Sequence, residues 1–304
     1  MATEEVFVEV GSSAELEQLA EALQPDLPEC GCVYNIVLMK ARLGVHVQSV
    51  YVLRRQSAFP VVLFRQKDQA SSFGVYCRPA DAPYLKAALL VTQVISMKDV
   101  WAAAIPDHLV SVLKEVLTAR CGKQAEVRLT SQFITFDRQE ALSATIARSE
   151  SGVLCQLGAA GVAQMHRTWK FGKLFPLSVL QALYPAAPSC GFYPQPTSAP
   201  PPPPTSAAED WTLPPGPDDE VPVSWVGVSR LGMLGQLMTD PNHRGKGYAG
   251  LVLTECTRSM AKVGLLPLSC IEQDNDVSMA LFAKHGWKKT HLQNWISCEE
   301  PPKN

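Results

Sequence analysis

A basic stretch with two glycines, residues 242–249, constrains the fold of this chain more than any other part of its sequence. It joins a predicted strand to an apolar stripe at helical spacing. Free N–H groups at the start of a helix, together with the positive end of the helix dipole, bind anions. Gly245 and Gly247 let the backbone approach an anion without a Cβ atom in the way. Arg244 and Lys246 add positive charge. The stretch therefore predicts a phosphate-binding turn, with a basic surface turn as the alternative.

The sequence distinguishes this turn from one familiar phosphate-binding motif. The chain contains no GxxxxGK[ST] sequence, so the turn is not a Walker loop. Two glycines and two basic side chains suit a pyrophosphate group, and this is the anion that we expect at the turn.

The spacing of apolar residues predicts the elements around the turn. Two strands are expected before it, at residues 221–228 and 233–238, and a strand, a helix and a last strand after it. The helix that begins at the turn has an apolar stripe formed by Ala249, Val252, Leu253, Cys256, Met260 and Val263. Its polar side is predicted to hold Glu255, Arg258 and Lys262. The second half of the chain is thus predicted to be α/β.

The first half is also predicted to be α/β. A capped amphipathic helix is expected after Ser12 or Ser13. Further along, the pattern predicts strands over residues 47–54, 61–65 and 129–136 and helices within residues 79–96 and over 108–119. We expect an N-terminal α/β domain over residues 1–140 and a second domain over residues 141–304.

A proline-rich segment, residues 194–217, interrupts the second domain. It holds five consecutive prolines, which begin at Pro200 and end at Pro204. Such a composition cannot bury a core, and the segment is expected to be extended or disordered. The prolines would suit an SH3 or WW domain, and a tolerated surface insertion is the alternative.

Composition excludes several classes of protein. The formal net charge is −2, from 27 basic and 29 acidic residues, which argues against a nucleic-acid binder that works by bulk charge. The nine cysteines lack metal-ligand spacing, so we expect free thiols and no metal. No apolar run approaches the roughly 20 residues that span a bilayer, and the N-terminus has neither a secretory nor a transit pattern. A soluble, cytoplasmic protein without a membrane or nucleic-acid partner is expected.

Two motifs in the second half resemble the signatures of GNAT acyltransferases. Arg244-x-x-Gly247-x-Ala249 is similar to their R/Q-x-x-G-x-G/A pattern, and residues 275–287 resemble their second signature, a helix closed by glycine and an aromatic residue. The resemblance implies an α/β GNAT fold with a splayed mixed sheet that holds acyl-CoA between two strands. The residues that it implies in binding acyl-CoA are Leu237, Met238, Arg244, Gly245, Lys246, Gly247, Tyr248, Ala249, Asn275 and Phe282.

Within that resemblance, residues 244–249 would hold the pyrophosphate, and the backbone near Leu237 and Met238 would pair with pantetheine. Asn275 either hydrogen-bonds CoA or caps its helix. Phe282 is either a core aromatic or a contact of the pantetheine arm. The first domain is either a degenerate copy of the same fold or an α/β domain of another kind.

Two further segments resemble glycine N-acyltransferases. Residues 166–172, HRTWKFG, are similar to an NKTWNFG-like segment of that family, and residues 222–225, PVSW, are similar to one of its strands. The resemblance implies transfer of an acyl group from acyl-CoA to the amine of glycine or a related small amino acid, with release of CoA. It also allows a mitochondrial location.

The position of the general base departs from this family. The resemblance implies that a glutamate directly after a turn glycine acts as the general base in glycine N-acyltransferases. The corresponding residue in this chain is Met233, whose thioether cannot accept a proton. Glu272, at the end of the neighbouring predicted strand, is the best replacement, and a solvated carboxylate is its alternative role. His243 has a suitable pKa but precedes the phosphate turn. A water chain could instead carry the proton. Cys270 is expected to be a small core residue rather than a nucleophile.

Three hypotheses about function follow. The first is an acyl-CoA-dependent N-acyltransferase acting on glycine or a similar amino acid. The second is a catalytically weak acyl-CoA-binding or scaffold protein that uses the proline-rich segment as its contact site. The third is a GNAT acetyltransferase acting on a protein N-terminus, a lysine or a polyamine.

Overall fold

The computed structural model describes residues 6–53, 60–145, 151–194 and 213–299. The chain divides into two compact units. The first consists of Met1–Ile134, Cys270–Asp276 and Lys289–Asn304, and the second of Thr135–Ser269 and Val277–Lys288. The five prolines from Pro200 to Pro204 lie outside the described residues.

The elements of residues 1–135 are β1 (Phe7–Glu9), α1 (Ser13–Leu23), α2 (Gly31–Leu43), β2 (Gln48–Leu53), β3 (Val62–Gln66), β4 (Ser72–Tyr76), α3 (Ala82–Val91), β5 (Trp101–Pro106), α4 (Val110–Cys121) and β6 (Glu126–Thr135). A short helix, α5 (Arg138–Ser143), follows. The remaining elements are β7 (Gly152–Cys155), α6 (Ala159–Thr168), α7 (Leu177–Leu183), β8 (Ser189–Pro194), β9 (Ser224–Val228), β10 (Leu234–Thr239), α8 (Tyr248–Lys262), β11 (Leu268–Glu272), α9 (Asp276–Lys284) and β12 (Lys288–Ser297).

The first unit contains a mixed sheet in the order β1-β2-β3-β4-β5-β12-β6. Its first four strands are antiparallel, β5 is parallel to β4, and β12 returns antiparallel to β5. In the second unit the order is β11-β10-β9-β8-β7, and of β11 only Leu268 and Ser269 belong to this unit. The pairs are antiparallel except for β10 and β11, which are parallel. The same succession of strand, two helices, three strands, helix, strand, helix and strand therefore occurs twice along the chain.

The local sequence explains where several elements begin and end. Ser12 caps α1: its side chain accepts the Glu15 N–H, while the Glu15 carboxylate accepts the Ser12 N–H at 3.2 Å. α2 and α4 each end at a glycine in the left-handed region, Gly44 (φ +64°) and Gly122 (φ +66°). The predicted strands and helices of the first half are confirmed, although β6 begins three residues before the predicted strand, at Glu126.

The apolar face of α8 packs in the core of the second unit as predicted, with Val252, Leu253 and Cys256 all buried. The prediction that Glu255 lies on the polar side of α8 is wrong. Glu255 is 4 % exposed, and its Oε2 is 3.0 Å from Nη2 of Arg258. α8 packs against three strands, β8, β9 and β10, so its buried face is wider than the apolar stripe indicates. Burial raises the pKa of Glu255, against the lowering effect of Arg258.

The described end of the proline-rich segment, residues 213–217, lies beside the start of α6. The Gln156 N–H donates to the Pro214 carbonyl at 2.9 Å. Asp218 caps α6, because its Oδ1 accepts the Ala159 N–H at 3.0 Å and its carbonyl accepts the Ala160 N–H at 2.9 Å. Backbone bonds thus position a segment that has little apolar surface of its own. Among the described residues, no helix has the length and apolarity needed to cross a bilayer.

Candidate functional site

The turn between β10 and α8 has a defined geometry. β10 ends at Thr239, and Asp240 then accepts the Asn242 N–H on its Oδ1 at 2.9 Å, which starts one turn of 3-10 helix. The Arg244 Nε donates to the Thr239 carbonyl at 3.3 Å and bridges the two ends of this turn. The backbone therefore reaches the glycines in a fixed conformation.

Both glycines of the turn have left-handed backbone conformations. φ is +77° at Gly245 and +81° at Gly247, which directly precedes α8. A Cβ atom built at either position would meet no atom within 4 Å. Glycine is therefore required here by backbone conformation, and the space beside both Cα atoms is open.

In the described part of the chain, five consecutive backbone N–H groups at this turn have no backbone acceptor. The Gly250 and Leu251 N–H groups donate to the Gly247 carbonyl at 3.0 and 3.3 Å. Over the described residues, the N–H groups of residues 245–249 have no backbone acceptor. N–H groups without a backbone acceptor in a turn that leads into a 15-residue helix are a candidate anion site, because they lie at the positive end of the helix dipole. The exposed side chains of Arg244 and Lys246 add two positive charges.

The side chains that follow the glycines pack inward. The Tyr248 ring stacks on Phe192 of β8, with centroids 4.2 Å apart and an angle of 21°. Gly250 is pressed against His285, because a Cβ atom there would lie 2.5 Å from Cε1 of the imidazole. Burial lowers the pKa of His285, so its imidazole is neutral at pH 7. Because its ring is stacked on Phe192, Tyr248 would contribute its backbone N–H, and not its ring, to the candidate anion site.

β10 carries a bulge beside the turn. Gly235 pairs with Gly227 and Met238 pairs with Trp225, so the register shifts over Gln236 and Leu237. Gln236 is in the left-handed region with φ +60°. On the other side, β10 is parallel to β11 with Leu234 opposite Ser269. Leu237 and Met238, predicted to pair with pantetheine, therefore lie at and just after the irregular part of the strand.

Met233, at which the sequence departs from glycine N-acyltransferases, and Phe282 are both core positions. Met233 follows Gly232 (φ +71°) in the β9–β10 turn and is 3 % exposed. Phe282 is 4 % exposed and meets Trp287 edge-on, with centroids 5.1 Å apart. Trp287 in turn lies 6.0 Å from Phe136. An apolar side chain fits both environments without a proton-transfer role.

Glu272, Asn275 and Cys270 belong to the first unit. Glu272 ends β11 and is partly exposed, and its carbonyl accepts the Asn275 N–H at 3.0 Å. α9 begins directly after Asn275. Burial raises the pKa of Cys270 to about 12, so this side chain is a thiol at neutral pH and is not poised as a nucleophile.

The His166 side chain packs at the end of α6. Its Nε2 lies 3.0 Å from the Phe175 carbonyl, and its ring meets the Phe175 ring edge-on. Trp169 also packs against Phe175, with centroids 5.5 Å apart. The HRTWKFG segment therefore forms the end of α6 and an aromatic cluster after it. In the described part of the chain, no three His, Cys, Asp or Glu side chains form a group that could hold a metal ion.

Known proteins that resemble the chain share this fold. The sequence model of the FR47-like protein family matches residues 220–296, which contain β9 to β12 and the glycine turn. A Drosophila protein of known structure is 19% identical, with 96% of this chain and 98% of that chain covered and a TM-score of 0.75. No curated protein is significantly similar in sequence.

Two solved structures carry GNAT names. A tandem GNAT protein from the clavulanic acid biosynthesis pathway is 13% identical, covers 98% of this chain and 99% of that chain, and has a TM-score of 0.50. A GCN5-related N-acetyltransferase from Sphaerobacter thermophilus is 11% identical and also has a TM-score of 0.50, with 97% of this chain and 96% of that chain covered. The chain is therefore an α/β protein with the GNAT fold, as the two motifs predicted.

Proposed function

We propose that this chain is an N-acyltransferase that takes an acyl group from acyl-CoA and transfers it to the amine of glycine or a related small amino acid. The observation that carries the proposal is the row of five N–H groups, at residues 245–249, that have no backbone acceptor in the described part of the chain. They stand at the start of α8 on a GNAT fold, within the part of the chain that matches the FR47-like family. This arrangement supports a CoA thioester as the donor.

The pyrophosphate of CoA would bind to the N–H groups of residues 245–249 and to Arg244 and Lys246. Its negative charge is complementary to the helix dipole and both side chains. The pantetheine arm would then run along β10 past Met238 and Leu237 toward the bulge. Asn275 and Phe282 stay predictions as CoA contacts, and the packing of Phe282 against Trp287 favours its structural role.

In this reaction a neutral amine attacks the thioester carbonyl carbon, a tetrahedral intermediate forms, and the C–S bond breaks with release of CoA. The amine loses one proton and the departing thiolate gains one. Met233 is excluded as the base by its chemistry and its burial. The assignment of Glu272 to this role stays a prediction. Direct transfer is preferred to an acyl-enzyme, because Cys270 is protonated at neutral pH.

The acceptor is the least constrained part of the proposal. The choice of glycine as the acceptor rests on the resemblance of residues 166–172 and 222–225 to glycine N-acyltransferases. A protein amine or a polyamine would also fit the GNAT fold, and a catalytically weak acyl-CoA-binding protein would keep the anion site. Cytoplasmic or mitochondrial location, and an SH3 or WW contact through Pro200 to Pro204, stay predictions.

Thiol release tests the proposal directly. The purified chain is incubated with acetyl-, benzoyl- and longer acyl-CoAs and with a panel of amino acids, polyamines and N-terminal peptides. We expect acceptor-dependent release of CoA, greatest with glycine or a similar amino acid. Turnover with peptides or polyamines alone would show that the acceptor is one of these amines and not an amino acid. CoA binding without turnover on any pair of substrates would reject the enzyme hypothesis in favour of an acyl-CoA-binding protein.

A further inference from the structure

The proposed acyl-CoA site does not involve the HRTWKFG segment, residues 166–172. At the end of α6 this segment packs around Phe175, which is 7 % exposed. The Trp169 ring lies against the Phe175 ring, with centroids 5.5 Å apart. Nε2 of His166 lies 3.0 Å from the Phe175 carbonyl oxygen. These contacts fix the Phe175 ring at a point where another side chain can pack on it.

The side chain that packs there is Arg230. Its Cζ lies over the Phe175 ring, 4.5 Å from the ring centroid. At this distance the quadrupole of the ring attracts the guanidinium charge. The contact requires no hydrogen-bond acceptor, and a guanidinium has five N–H donors in one plane. Arg230 is also partly exposed. Phe175 therefore holds this cation through a contact that uses none of its donors.

The turn between β9 and β10 places Arg230 near the start of β10. The Ser229 N–H donates to the Met233 carbonyl at 2.7 Å, and the Gly232 N–H donates to the Ser229 carbonyl at 2.9 Å. The turn is therefore tight, and β10 begins directly after it, at Leu234. In the proposed function the pantetheine arm runs along β10 from the opposite end. The acyl group would then point toward this turn, and the attacking amine would enter beside Arg230.

The distribution of charge around Arg230 favours an acceptor that carries negative charge. Arg230 is the only charged residue in residues 224–239, which form β9, the turn and β10. Residues 151–208 contain no aspartate or glutamate. Asp218, which caps α6, lies at the other end of this ten-residue helix, about 15 Å along its axis. A polyamine or a lysine side chain would bring further positive charge to this region, whereas an amino acid brings a carboxylate.

We propose that Arg230 binds the carboxylate of the amine acceptor and so selects a small amino acid over a polyamine or a lysine side chain. Its planar guanidinium can donate two parallel N–H bonds to one carboxylate. The acceptor is then held by the end that does not react, and its α-amine is left to attack the thioester. Arg230 determines specificity and takes no part in proton transfer, because its guanidinium stays charged. This inference rests on the proposed function.

The test compares glycine with glycinamide, which keeps the α-amine but has an amide in place of the carboxylate. The variants are Arg230→Gln, which removes the charge, and Arg230→Lys, which keeps the charge without the planar fork. Rates of thiol release are measured at a saturating concentration of the acyl-CoA that the wild-type protein uses. In Arg230→Gln the KM for glycine should rise about 10- to 100-fold, with a smaller change in kcat, because a charge-assisted pair is lost. The KM for glycinamide should stay at its wild-type value, and Arg230→Lys should give an intermediate KM for glycine.

Lys170→Gln is the matched control, because Nζ of Lys170 lies over the Phe171 ring, 4.8 Å from its centroid. It removes one positive charge from the same segment and should keep the wild-type KM for glycine. Unchanged CoA affinity identifies the folded variants, and Arg230→Lys carries the comparison if Arg230→Gln does not fold. An unchanged KM for glycine, an equal rise for glycine and glycinamide, or an equal rise in Lys170→Gln would overturn the role of Arg230 alone. Failure of the wild-type protein to turn over any amino acid would overturn the proposed function together with this inference.

Discussion

Replacing Gly247 with valine isolates the anion turn. φ at this position is +81°, which is strongly unfavourable for a β-branched residue, and the helix start then costs about 1–2 kcal/mol of stability. No protein atom lies within 4 Å of the added Cβ, so the fold itself can accept the side chain. The new side chain occupies the space that the pyrophosphate would take.

The expected loss of CoA affinity is larger than the loss of stability. Each charge-assisted hydrogen bond is worth about 1.5–3 kcal/mol, so losing two of them weakens binding by about 3–6 kcal/mol. At about 1.4 kcal/mol per tenfold change, this corresponds to a loss of about 10²- to 10⁴-fold in affinity. Isothermal titration with CoA at fixed ionic strength measures the affinity, and urea unfolding measures the stability.

Gly122→Val is the matched control. Gly122 ends α4 with φ +66°, and a Cβ atom built there also meets nothing within 4 Å. The control should lose a similar free energy of unfolding and keep wild-type affinity for CoA. Equal affinity in both variants, or an equal loss in both, would refute the argument that Gly247 serves an anion site.

Three further predictions concern other parts of the structure. Gly250→Ala should lower the free energy of unfolding by about 1–3 kcal/mol in thermal denaturation, because its Cβ would overlap the His285 ring at 2.5 Å; an unchanged midpoint would contradict this packing. The pKa of Glu255 is raised in the folded state, so the native protein binds this proton more tightly than the unfolded chain. Wild-type stability should therefore fall relative to Glu255→Gln as the pH rises from 4 through the raised pKa; parallel urea-unfolding curves at every pH would contradict the shift. Glu272→Gln should remove from the pH–rate profile the rise in rate that accompanies deprotonation of the general base, and an unaltered profile would eliminate Glu272 as the base.

The periodicity of the sequence predicted α8 and the turn before it, because both depend on local features. A left-handed φ at Gly245 and Gly247 requires glycine, and the apolar stripe of α8 recurs every three or four residues. These two signals are sufficient to predict a glycine turn at the start of a helix, which is where we propose the anion site. The same reasoning explains why the helix cap at Ser12 was predictable without the structure.

Features that depend on tertiary packing were not predictable in the same way. Glu255 is charged and lies off the apolar stripe, yet packing against three strands buries it beside Arg258. Nothing in the local sequence marks Gln236 and Leu237 as a bulge, since a bulge is a mismatch with a partner strand. Likewise, β12 pairs with β5 across nearly 200 residues, which no local periodicity reports.

The most direct measurement of the central claim is the response of the backbone amides at residues 245–249 to CoA. Amide resonances of Gly245 and Gly247, followed by ¹H–¹⁵N NMR, should move downfield and saturate as CoA is added. ADP, which shares the pyrophosphate, should cause the same changes at lower affinity. Saturable binding with changes confined to other residues, and none at these two glycines, would contradict the claim that this turn is the acyl-CoA site.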